Sequence, residues 1–78
     1  MDSDLVQAAR IIASGLTISI GGMGPAIAIG LIGYSALQAI GRNPEVAPKL
    51  QSYMILLVAF AEAIAIYSLV LSFILRFV

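Results

Sequence analysis

The chain contains no cysteine and no histidine. The first absence excludes a disulfide framework and a thiolate metal site. The second removes the side chain most often used as a general base and as a metal ligand. Charge is scarce as well: four basic and four acidic residues among 78, for a net charge of zero. That balance leaves no electrostatic footprint for nucleic acid. Eight charged side chains also cannot supply the polar exterior of a small soluble fold. What remains is 62% hydrophobic, and composition of this kind belongs to membrane proteins.

The N-terminal MDSDLVQAAR carries acids where a secretory signal carries bases. It has no short apolar core ending in a cleavage site, so the chain is expected to be mature, with its first apolar segment retained. Ile11 to Gly41 is a run of 31 residues without a formal charge, and Leu50 to Leu75 is a run of 26 charged only at Glu62. Each exceeds the roughly 20 residues a helix needs to cross a bilayer core. Backbone groups in lipid must be satisfied within the segment, so both runs are expected to be helices. At about 1.5 Å per residue they reach roughly 46 and 39 Å.

Between them GRNPEVAPK gathers Gly41, Asn43, Pro44 and Pro48, which punctuate helices. The fold class is therefore all-α: a transmembrane antiparallel hairpin of two helices. Residues 1–78 are expected to form one membrane domain, with a first helix at about 5–41, a polar loop at about 42–48 and a second helix at about 49–77. Arg42 and Lys49 lie at the loop end, Arg10 and Arg76 at the other. The positive-inside rule is thus tied, and Arg10 and Arg76 read as interfacial snorkelling.

The two helices differ in make. All seven glycines lie at or before Gly41, whereas five of six aromatic residues follow the loop. Within GMGPAIAIG, small residues fall at Gly22, Gly24, Ala26, Ala28 and Gly30. A spacing of two turns roughly 200°, so the first helix is thin on two sides. Small residues let membrane helices approach closely. A helix thin on both sides fits a closed ring of identical copies, with this helix innermost. The plainer alternative is that the small residues only pack the hairpin against itself. Pro25 removes a backbone donor at mid-helix, and a kink is expected there.

Glu62 stands in LLVAFAEAIAIYSLV. Folding the hairpin about Pro44 and Glu45 sets it level with Ile27, at the middle of its own span. An ionised acid at that depth costs about 2.5–3.5 kcal/mol on insertion scales. The four cationic residues all lie near the span ends. The acid is expected to be neutral facing lipid, and to ionise only where another protein brings a charge or water. A group that behaves so can load, carry and release an ion. A buried acid that merely hydrogen-bonds a neighbouring helix is the alternative.

These residues resemble the c subunit of rotary F-type ATP synthases, over nearly the whole chain. The likeness rests on Gly24, Ala26, Ala28 and Gly30, on Arg42-Asn43-Pro44, and on Glu62 twenty residues after Arg42. The family pattern is richer in glycine where this chain has Ala26 and Ala28, and many bacterial members have Gln in place of Asn43. The resemblance implies a non-catalytic rotor-ring protein in which Glu62 carries a proton, with no cofactor. It places Ala28, Ile29, Ala63, Ala65, Ile66 and Tyr67 near the ion, and Gly22 to Gly30 at ring contacts. It implies that Arg42, Asn43 and Pro44 meet the central stalk, the gamma and epsilon subunits. It further implies that Glu62 exchanges protons through half-channels shared with the neighbouring a subunit, whose arginine supplies the missing charge. The loop would then face the cytoplasm across a bacterial inner membrane, or the matrix or stroma in an organelle. Membrane lipids surround the ring.

A sodium-carrying rotor is the nearest rival. Sodium-binding members place Gln one residue before the last small residue of the series and hydroxyls one and two positions after the acid. Here those positions are Ile29, Ala63 and Ile64; only the tyrosine five positions on remains, as Tyr67. A V-type relative fits the single hairpin less well. A holin-like hairpin that oligomerises without transport is the rival from another class, and the central acid argues against it.

Overall fold

The structure, a computed structural model, describes residues 3–78. Met1 and Asp2, the latter among the acids of the N-terminus, lie outside the described residues. Helix α1 spans Asp4–Arg42, a 3₁₀ turn spans Pro44–Val46, and helix α2 spans Ala47–Phe77. The two long helices fold back on one another as a hairpin measuring 62 × 15 × 8 Å. Both are long and apolar enough to cross a membrane.

Local chemistry sets the ends. Ser3 caps α1 by accepting the Val6 N–H at 3.1 Å, and Asp4 lies in the first turn, where a negative charge complements the helix dipole. Arg42 complements the other end. Asn43 precedes a proline and leaves the helical region, at φ −145° and ψ 86°. Its N–H still closes the last turn onto the Ala39 carbonyl at 2.9 Å. Val46 N–H then bonds the Asn43 carbonyl at 3.1 Å. The reversal needs no positive φ. Gly41 is helical, and Pro48 lies in the first turn of α2, where its missing N–H has no helical acceptor to lose. The turn is thus tighter than a polar loop over 42–48.

Inside the spans, hydroxyls bond backward to their own helix. Thr17 donates to the Ala13 carbonyl at 2.7 Å and Ser19 to the Gly15 carbonyl at 2.6 Å, which satisfies them without water. Helix α1 runs unbroken through Pro25, whose ring is buried. Among the described residues the hairpin buries only Ser14, Pro25, Ala61 and Ser72. Leucines, isoleucines and aromatics stand exposed along both helices. Apolar surface of that extent implies lipid or other chains around the hairpin.

Candidate functional site

The register of the hairpin is set at two points. Ser14 donates from Oγ to the Ser72 carbonyl at 2.8 Å, and Ser72 Oγ donates to the Ser14 carbonyl at 2.9 Å. The two hydroxyl oxygens are 2.8 Å apart. Farther along α1, Gly21 meets Ser68. A Cβ on Gly21 would lie 2.7 Å from Ser68 Cβ, closer than side chains tolerate, whereas Gly22, Gly24 and Gly30 have open space. Gly21 is thus the glycine that close approach within the hairpin requires. Neither pair is conspicuous in the sequence. Serines are common in membrane helices, and only the antiparallel register matches Ser14 with Ser72.

On α2 the face turned to α1 is Leu50, Met54, Val58, Ala61, Ala65, Ser68 and Ser72, buried or half-buried at steps of three and four. Glu62 follows Ala61 and is therefore rotated roughly 100° off this seam. It stands exposed on one flank of the hairpin. Counting six residues back from Ser68, and six forward from Gly21, sets Glu62 level with Ile27, and the same count of ten from the Ser14–Ser72 pair reaches Gly24, so Glu62 lies level with the stretch Gly24 to Ile27. Along the axis Glu62 is about 20 Å from Lys49 and about 21 Å from Arg76 at 1.5 Å per residue. That separation of cations matches a bilayer with its headgroups, about 40–45 Å. The carboxyl thus sits near the midplane.

The residues named around the acid fall in different places. Ala28 and Ile29 are half-buried on α1, and Ala65 is half-buried in the seam. Ala63 and Ile66 are exposed on α2. Tyr67 is 72% exposed and lies roughly 140° around the helix from Glu62. Within one hairpin the structure does not bring Tyr67 beside the carboxyl. Of the small series, Gly22 and Ala28 are half-buried, while Gly24, Ala26 and Gly30 are exposed. At about 100° per residue, Ala26 shares the flank of Glu62 and Gly24 lies on the opposite flank. That opposite flank holds an apolar groove of about 410 Å³ toward the turn, lined by Leu31, Ser35, Tyr53 and Leu57 among others. Arg42, Asn43 and Pro44 are exposed at the hairpin tip.

This arrangement can hold one exchangeable proton in lipid and can offer two different flanks to identical neighbours. The family model for the ATP synthase C subunit matches residues 12–75. An ATP synthase c subunit of Dehalococcoides mccartyi is 50% identical over 78 residues, covering 100% of this chain and 99% of the relative. The ATP synthase c subunit of Chloroflexus aurantiacus is 40% identical over 72 residues, 92% of this chain and 95% of the relative. A chloroplastic ATP synthase c subunit of Porphyra purpurea is 40% identical over 77 residues, 99% and 93% respectively.

Proposed function

From the premise that the chain belongs to the ATP synthase C-subunit family, and so is a non-catalytic, ion-carrying rotor protein of an integral membrane complex, we propose that the ion is H⁺ and its carrier Glu62. The observation that carries this reading is the isolation of Glu62. It is a single carboxyl near the midplane, exposed on a flank, with every cation of the hairpin about 20 Å or more away along the axis. A neutral acid there is tolerated, and an ionised one calls for a charge or water that the hairpin lacks. An arginine of the a subunit supplies that charge in this reading.

The ring follows from the two flanks. The Glu62 and Ala26 flank of one copy meets the Gly24 flank of the next, with α1 inside and the bulkier α2 outside. Ala26→Leu adds volume where copies close on one another. Rings of that variant should fail to assemble or should change their number of copies when imaged; unchanged rings of equal stability would leave Ala26 outside the contact. The exposed tip, Arg42-Asn43-Pro44, meets the gamma and epsilon subunits of the central stalk on the cytoplasmic side of a bacterial membrane.

Proton over sodium rests on ligands. A hard cation needs several oxygens to replace its water shell. Around Glu62 stand Ala63, Ile64, Ala65 and Ile66, with Ile29 and Ala28 across the hairpin. The nearest hydroxyls point elsewhere: Tyr67 around the helix and Ser68 into Gly21. A hydrophobic carbodiimide should label Glu62 selectively. At fixed pH, millimolar sodium should give no protection. Saturable protection by sodium and not by potassium would assign the site to sodium.

A further inference from the structure

At the end opposite the turn, the hairpin forms a second, polar pocket of about 270 Å³, lined by Gln7, Arg10, Arg76, Phe77 and Val78. The two arginines lie 66 positions apart in sequence and come from different helices. Read singly, each is a snorkelling cation. The register of the hairpin instead turns them toward one cavity, together with the Gln7 amide. Arg10 is half-buried. Arg76, itself exposed, holds its guanidinium 5.2 Å from the centroid of the Phe77 ring, within cation–π range.

The described acidic side chains lie elsewhere, and the one anionic group that the lining can contribute is the carboxyl of Val78. Asp4 is about 9 Å up the axis from Arg10 and roughly 120° around it. Glu45 is in the turn and Glu62 at mid-span. Arg76 also offsets the negative end of the α2 dipole. The pocket therefore sets two planar forks and the Gln7 side chain against at most that one carboxyl, and the excess of donors is suited to a phosphate group. Its depth says which phosphate. Arg76 lies about 21 Å from the midplane carboxyl, and Arg10, four residues from Ser14 as Arg76 is from Ser72, is level with Arg76. Both arginines thus fall at the headgroup layer, about 20–22 Å from the midplane of a bilayer about 40–45 Å thick.

We propose that this pocket is a specific site for the phosphodiester of an anionic phospholipid, one per hairpin, clamped between Arg10 and Arg76. A zwitterionic choline headgroup fits poorly. Its ammonium would face two guanidiniums, and the Phe77 face that could receive it is already taken by Arg76.

Native mass spectrometry of the purified oligomer in non-ionic detergent tests this, with phosphatidylglycerol, phosphatidylcholine or inorganic phosphate added. Phosphatidylglycerol should be retained, up to one per chain, about tenfold over phosphatidylcholine, and the Arg10→Gln/Arg76→Gln variant should lose about that factor. Arg42→Gln/Lys49→Gln, at the other interface, should retain it. Arg10→Lys/Arg76→Lys keeps the charge but not the forks, and should bind a few-fold more weakly; it also serves if the glutamine variant does not assemble. Equal retention of the two lipids overturns the proposal. So does undiminished retention in either Arg10/Arg76 variant, or displacement of the lipid by millimolar inorganic phosphate.

Discussion

Glu62→Gln should abolish proton flux and coupled ATP synthesis while leaving the hairpin inserted and assembled. The amide has nearly the shape of the acid and costs less in lipid than a charge, so neither insertion nor packing should suffer. Glu62 stands exposed on its flank and makes no side-chain hydrogen bond within the hairpin that the amide would break. What the amide cannot do is release and regain a proton. The driving force on each carried charge is about 2.3 kcal/mol per 100 mV, and a carrier that never charges receives none of it. Flux in reconstituted vesicles should fall to the level of protein-free controls. Retained flux in a correctly assembled variant would show that Glu62 is not the carrier.

The second large effect is expected at Gly21. Gly21→Ala forces a methyl into Ser68, 2.7 Å from its Cβ. Rotating the hydroxyl does not relieve that contact, because Cβ does not move with χ1; the helices must part. Overpacking of this kind costs about 1–3 kcal/mol. The hairpin has little else to draw on, since so few residues are buried between its helices. Oligomers should dissociate at markedly lower temperature in detergent. Ser68→Gly in the same chain removes the obstacle and should restore most of the loss. Gly24→Ala, with open space in the hairpin, should not behave this way unless its neighbour is another copy. If Gly21→Ala is neutral, the close approach at Ser68 is not what holds the register.

The hairpin is legible in the sequence because lipid allows so few backbone solutions. Two uncharged runs and a cluster around Asn43-Pro44 leave little else. Pro48 reads as a helix breaker by composition, yet it belongs to the first turn of α2, where proline has no bond to break. Glu62 is conspicuous as a lone acid, and its depth follows from counting. Its flank does not, because that depends on which face closes the hairpin, and the small residues of α1 look alike on every side. Only the structure singles out Gly21 as the one pressed against a partner. The same holds for Arg10 and Arg76, whose convergence requires a register that single positions cannot reveal.

The tight reversal at Pro44–Val46 bears on stiffness. Both sides of it are tied by backbone bonds, Asn43 to Ala39 and Val46 to Asn43, and two prolines restrict the backbone on the way. A sideways push delivered near the midplane reaches the tip through two continuous helices and a turn with little slack. A long flexible loop would wind up like a soft spring and return part of the work as heat. A ring of tips built this way yields little, so its angular position should follow each ion step with small lag.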